Sequence, residues 1–183
     1  YLLQGDRESL HSEVDELSSL ESPSFRAEWL LGLSALLIDR DPARARLHLE
    51  SLQDILERPF VFEGRCHAAH LEGMISLENG KYEDAIGYLG RAEADSPRDF
   101  YFYGKRLLEA CIRGGMYAYA DETRRKLEKL NPNDPDLMIL SHELYRETGR
   151  LSEAGEMRSR IYTALDGAEP GYVLLESFIS KYG

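Results

Sequence analysis

A short pattern recurs three times at a nearly constant spacing, and it constrains the fold more than any other feature. Residues 80–86 read Gly-Lys-Tyr-Glu-Asp-Ala-Ile, residues 115–120 read Gly-Met-Tyr-Ala-Tyr-Ala, and residues 149–154 read Gly-Arg-Leu-Ser-Glu-Ala. The shared pattern Gly-x-Tyr/Leu-x-x-Ala returns after 35 and then 34 residues. A fixed period of about 20–50 residues is typical of stacked repeats, in which each unit is one supersecondary element.

Each repeat is predicted to be a helix, a tight turn and a second helix. The glycine ends the first helix, because a residue with positive φ satisfies the last helical carbonyls. The alanine is expected where the second helix crosses the first closely, since a larger side chain would overpack the crossing. Pro97 and Pro132, which are 35 residues apart, are expected to close the second helix.

The hydrophobic pattern predicts about ten helices and no strands. Apolar residues recur at i, i+3, i+4 and i+7 in most segments, as in Leu10, Val14 and Leu17. The predicted helices cover residues 6–20, 24–38, 42–57, 61–79, 82–95, 99–113, 117–130, 135–148, 151–165 and 171–182.

These repeats resemble the tetratricopeptide repeat (TPR) family. The matching residues are Gly73, Gly80, Tyr82, Ala85, Leu89, Ala92 and Pro97; Leu107, Gly115, Tyr117, Ala120, Leu127 and Pro132; and Tyr145, Gly149, Leu151 and Ala154, with Asp166 in place of the last closing proline. A degenerate unit contains Trp29, and its glycine turn is replaced by the sequence Asp39-Arg40-Asp41-Pro42.

The resemblance implies an all-α fold, a right-handed α-solenoid of stacked helical hairpins. It divides the chain, as a single array, into a partial unit at 1–22, a degenerate unit at 24–59, full units at 66–99, 100–134 and 135–168, and a partial unit at 169–183. Because both ends fall inside a unit and the first residue is Tyr1, we expect the chain to be a segment of a longer protein.

Composition excludes several classes of protein. The chain has 22 Lys and Arg against 33 Asp and Glu, a net charge of −11, which argues against a nucleic-acid partner. No apolar run approaches the roughly 18 residues of a membrane span, and no signal peptide is present in these residues. Two cysteines are too few for a disulfide scaffold. Nothing fixes the compartment, although the composition leans toward a cytoplasmic protein.

The sequence contains no motif for catalysis or for a cofactor. There is no phosphate-binding loop, nucleophile elbow or His-Glu-x-x-His sequence. His67 and His70 are spaced i, i+3 beside Cys66, but nothing nearby supplies the further ligands that zinc requires. Cys111 is interpreted as a small core residue, and His11, His48 and His142 as surface or half-buried residues. We therefore expect neither an enzyme nor a bound cofactor.

The family pattern implies that the first helix of each unit lines a concave groove. The resemblance places these residues there: His67, His70, Met74, Leu77 and Glu78; Phe102, Lys105, Glu109, Ile112 and Arg113; and Asp136, Ile139, Glu143, Arg146 and Glu147. Phe102 and Met74 are candidate anchors. Lys105, Glu109 and Arg113 are spaced i, i+4, i+8, so they either contact a ligand or form an ion-pair ladder along one helix.

The predicted function is a non-catalytic scaffold or adaptor that binds a peptide or helix of another protein in this groove. One alternative is a regulatory or substrate-recruiting domain of a larger enzyme. A second is an assembly chaperone or envelope-complex subunit that self-associates through open repeat ends, with Leu174, Leu175 and Phe178 as the apolar contacts.

Overall fold

The computed structural model describes residues 24–58, 64–96, 100–164 and 173–182, and these contain nine α-helices and no strand. The predicted helix at 6–20 and the position of Asp166 lie outside the described residues. The helices are α1 Phe25–Leu37, α2 Pro42–Leu56, α3 Arg65–Glu78, α4 Tyr82–Asp95, α5 Phe100–Arg113, α6 Tyr117–Leu130, α7 Pro135–Glu147, α8 Leu151–Ala164 and α9 Val173–Tyr182.

The described residues form two compact units. Unit 1 comprises 24–103 and unit 2 comprises 104–182, so the boundary falls within α5. In unit 1, α1 packs on α2 and α3 packs on α4, and α3 also contacts both helices of the first hairpin. In unit 2, α7 packs on α8 and on α6. Over these residues the predicted all-helical, repeat-like architecture is confirmed, and the right-handed solenoid stays a prediction.

The three repeated glycines form the same turn. Gly80, Gly115 and Gly149 have φ angles of 71°, 71° and 72°, in the left-handed region that glycine adopts without a steric penalty. At Gly80, the glycine N–H donates to Leu77 O at 3.1 Å, and the following N–H of Lys81 donates to Ser76 O at 2.9 Å. The other two turns repeat both hydrogen bonds. This is the Schellman arrangement that satisfies the last carbonyls of a helix.

The first hairpin uses a longer turn without glycine. Arg40 takes the left-handed conformation, with φ 56°. The N–H of Asp41 reaches back six residues to Ala35 O, and the Asp41 carboxylate accepts from the N–H of Arg44 to cap α2. Pro42 occupies the first turn of α2, where its missing N–H costs nothing.

Small residues allow the two helices of a hairpin to approach closely. The alanines that follow the turns, Ala85, Ala120 and Ala154, are all buried, as predicted. On the opposite helix, a Cβ added to Gly73 would lie 2.6 Å from Leu89 Cγ. The position seven residues before the turn glycine is Gly73 in the second hairpin, and His142 in the last.

The last helix packs into unit 2 through Phe178. This side chain is only 2% exposed and belongs to a cluster with buried residues of α7 and α8: Met138, Tyr145, Ala154, Met157 and Ile161. Helix α9 therefore packs against the α7–α8 hairpin through this side chain. The side chains of Leu174 and Leu175 lie outside the described residues, so the predicted self-association through them stays a prediction.

Candidate functional site

Unit 1 contains an aromatic cluster contributed by first helices. Trp29 of α1 contacts His67 of α3 edge-to-face, with ring centroids 4.6 Å apart, and Phe102 of α5 at 6.0 Å. The indole N–H of Trp29 donates to His70 Nδ1 at 3.1 Å. His70 also contacts the ring of Tyr103 at 4.8 Å. Since Nδ1 accepts this bond, neutral His70 carries its proton on Nε2.

The predicted groove residues of this region divide into two groups. Met74 and His70 are each 1% exposed, so they belong to the core and a partner would have to displace their neighbours to reach them. His67 and Phe102 are half-buried and present part of their surface to solvent. Within the aromatic sequence Phe100-Tyr101-Phe102-Tyr103 at the start of α5, Tyr103 is buried and Tyr101 is half-buried.

The expected ladder along α5 forms only in part. Glu109 pairs with Arg113 at 3.0 Å and with Arg106 at 2.9 Å. The Lys105 ammonium instead lies 3.0 Å from carboxylate oxygens of both Asp134 and Asp136, and its side chain is 12% exposed. Lys105 therefore ties α5 to the start of α7, and the carboxylate that caps α7 is one of its partners.

Unit 2 contains a polar cleft of about 570 Å³. Five of its lining residues come from α5 and α7 and were predicted to face the groove, and three further residues come from α6 and α9. The lining residues are Ile112, Arg113, Glu143, Arg146 and Glu147, with Tyr117, Lys181 and Tyr182. We call these eight residues the charged cleft.

Helix α9 forms one wall of the charged cleft. The Lys181 ammonium and the Tyr182 hydroxyl both donate to the same oxygen of Glu143. Burial alone would lower the pKa of Lys181, but the hydrogen bond to Glu143 and the further interactions with Glu143 and Tyr182 together outweigh it, and the pKa is raised. Burial also raises the pKa of Tyr182, so its hydroxyl remains a donor at neutral pH.

Arg146 places a cation without an ion pair at the charged cleft. Its guanidinium lies 4.9 Å from the centre of the Tyr182 ring, a cation–π geometry. It is exposed, and no ion pair joins it to a carboxylate among the described residues. Ile139, another predicted groove residue on α7, is half-buried and packs against the Phe178 cluster instead.

Sequence reasoning missed Lys181 and Tyr182. Both lie in the terminal partial unit, and the signal that points to them is their place on the first helix of that unit. It also misplaced His142, which was expected at the surface or half-buried and is 3% exposed. His48 is half-buried, with Nδ1 2.8 Å from Glu28 Oε2, and His11 lies outside the described residues.

Cys66 and Cys111 are not joined by a disulfide bond. Cys111 is fully buried, as predicted, and Cys66 Sγ lies 3.2 Å from His67 Nδ1. Over the described ranges, no group of three or more His, Cys, Asp or Glu side chains is arranged to hold a metal ion. None of the helices in this part of the chain combines the length and apolar character needed to cross a bilayer.

Comparison of the chain with models of known protein families, with curated proteins and with solved structures finds no match.

Proposed function

We propose that this chain is a non-catalytic protein-interaction module that binds a short extended segment of a partner protein in the charged cleft. The observation that carries the proposal is the exposed Arg146 guanidinium, which lacks an ion-pair partner among the described residues and lies in a cleft of about 570 Å³. Ligand sites in proteins are typically clefts of about 300–1,000 Å³. The resemblance of the repeats to the TPR family supports the same function.

The charges of the cleft favour an acidic side chain on the ligand. Glu143 already accepts hydrogen bonds from Lys181 and Tyr182, and Arg113 is paired with Glu109. An incoming carboxylate would therefore meet Arg146, whose planar guanidinium suits bidentate binding. This local cationic group stands out in a chain of net charge −11.

The charge of Glu147 further restricts the kind of ligand that would suit the cleft. Glu147 is exposed at the cleft, and no ion pair joins it to a cation in the described part of the chain. Because Arg146 and Glu147 both line the cleft, a ligand that carries both an acidic and a basic residue would satisfy both side chains. Such charge complementarity gives specificity and a faster association rate more than it gives raw affinity.

The test is selection of displayed random peptides on the full chain, followed by fluorescence anisotropy with the selected peptides. We expect enrichment of peptides that carry both an acidic and a basic residue, binding that weakens with added salt, and loss of binding in Arg146→Glu. The matched control is Arg91→Glu, because Arg91 of unit 1 is also exposed and its guanidinium also lies over a tyrosine ring, that of Tyr88, at 4.7 Å.

The proposal fails if Arg146→Glu and Arg91→Glu bind the selected peptides equally well. Selection of purely apolar peptides whose binding depends on Phe102 would instead place the binding surface at the aromatic cluster of unit 1.

A further inference from the structure

His142 is an ionisable group buried at the joint between α7 and α9. Its side chain is 3% exposed, and Nδ1 has no hydrogen-bond partner among the described residues. Its ring meets Phe178 edge-to-face at 5.2 Å and Tyr182 at 4.6 Å. The neutral imidazole thus packs as an aromatic side chain against the two residues that hold α9 in place.

The charges around His142 oppose a second proton on its ring. Its own helix contributes Arg146 and Glu143, α8 contributes Arg158, and α9 contributes Lys181 beside the uncharged hydroxyl of Tyr182. Three cations therefore face one carboxylate, and that carboxylate already accepts from Lys181.

The same side of α7 is packed against α6 as well. Helix α6 presents Arg124 to Tyr145 of α7, with the guanidinium 5.3 Å from the ring centre. Arg124 is itself paired with Asp121 and Glu128 on α6.

The charged cleft depends on the helix that His142 holds. Lys181 and Tyr182 supply its wall on α9, and both bind Glu143, the residue that follows His142. Arg146 lies over the Tyr182 ring one turn further along α7. If α9 leaves α7, the cleft loses this wall and Arg146 loses the ring that positions it.

We propose that protonation of His142 releases α9 from α7 and dismantles the charged cleft, so that mild acid turns off ligand binding by unit 2. As a statement about ligand binding, this rests on the proposed function of the cleft. As a statement about α9, it rests on the packing of His142 alone.

The pH range in which α9 is released follows from the direction in which the pKa of His142 is shifted. Burial, and after it Arg146, lowers the pKa of His142 below its ordinary value of 6.5. The released state therefore binds more protons than the docked state as pH falls through 6.5, so docking weakens from there downward. Docking is fully present above this value. The effect saturates once the pH is below the pKa of the docked state.

The test is hydrogen exchange of the full chain at pH 7.5 and 5.5, corrected for the intrinsic pH dependence of exchange. We expect the protection of α9 to fall several-fold more than that of α3 in the wild-type protein. His142→Phe, which keeps a neutral ring, should abolish the difference, and His142→Gln is a second neutral variant in case the first does not fold. The control His48→Gln should keep the wild-type response.

Three outcomes overturn the proposal: equal changes in α9 and α3, an unchanged response in both neutral variants, or an NMR titration that places the pKa of His142 at or above 6.5. Anisotropy with the selected peptides separates the two proposals. Release of α9 without any cleft-dependent binding supports the switch and contradicts the proposed function, whereas binding that does not change between the two pH values contradicts the switch.

Discussion

Each of the two units buries a histidine among aromatic rings, but the two histidines differ in their hydrogen bonding. In unit 1, Nδ1 of His70 accepts a hydrogen bond from the Trp29 indole, so this ring nitrogen has a partner. In unit 2, Nδ1 of His142 has no partner among the described residues. A buried polar group with a partner adds to stability, whereas one without a partner carries its full desolvation cost. Unit 1 therefore holds its histidine with a hydrogen bond from a neighbouring helix, whereas unit 2 holds its histidine with ring contacts.

The largest expected effect tests how strongly unit 2 depends on α9. Phe178→Ala removes a side chain that is 2% exposed, and we expect unfolding free energy to fall by about 3–5 kcal/mol. Urea denaturation followed by circular dichroism measures this loss. Ile179→Ala is the control, because Ile179 is 45% exposed on the same helix. Equal losses in the two variants would show that α9 is not docked through Phe178.

The next effect tests the close approach of α3 and α4 at Gly73, the position that His142 occupies in the last hairpin. Gly73→Ala places a Cβ 2.6 Å from Leu89 Cγ and 3.2 Å from the Leu89 backbone nitrogen. We expect a loss of about 1–3 kcal/mol from overpacking, measured by thermal unfolding. Gly87→Ala is the control: its Cβ meets nothing within 4 Å, so the better helix former should stabilise α4 by about 0.5–1 kcal/mol. A neutral Gly73→Ala would contradict the close approach.

A smaller expected effect concerns the hydrogen bond from Trp29 to His70. Trp29→Phe removes the N–H donor at 3.1 Å, and a double-mutant cycle with His70→Phe isolates the pair from the other contacts of each ring. We expect a coupling of about 0.5–1.5 kcal/mol in unfolding free energy. A coupling of zero would remove the distinction between the two histidines.

The smallest expected effect concerns Thr123, a second buried polar residue of unit 2 without a hydrogen-bond partner among the described residues. Thr123 is 1% exposed, and its hydroxyl has no hydrogen-bond partner among the described residues. Thr123→Val should therefore change stability by less than about 0.5 kcal/mol, or raise it. Ser141→Ala is the control, since Ser141 is also buried but donates to Leu137 O at 2.7 Å, and we expect it to lose about 1 kcal/mol. Equal losses would show that the Thr123 hydroxyl is bonded in solution.

Much of the fold was predictable because it depends on local signals. The glycine period, the buried alanines and most helix bounds follow from interactions within one hairpin. The hydrophobic pattern also predicted α9. The predicted segment 61–79 is observed as Arg65–Glu78, where the left-handed Gly64, with φ 105°, precedes the helix.

The candidate site was predictable only in part, because it depends on neighbours distant in sequence. Position on a first helix did not distinguish Met74, which is buried, from Phe102, which keeps some exposure. Lys105 has acidic residues available both on its own helix and 29 residues away, and the choice between them is made by packing. The contributions of Lys181 and Tyr182 require knowing that α9 lies against α7.

The glycine turn has the same geometry in all three hairpins that contain it, so one repeat of the sequence corresponds to one repeat of the structure. Each turn satisfies its backbone groups with residues no more than five positions away, so its geometry does not depend on which hairpin follows. A duplication that starts and ends at such glycines adds one full period, the second helix of one hairpin and the first helix of the next, without redesigning the turn. The turn at Arg40 is different, because it contains an extra residue and a non-glycine in the left-handed region. A chain of this kind can therefore lengthen by copying whole periods between glycine turns, while its first hairpin diverges on its own.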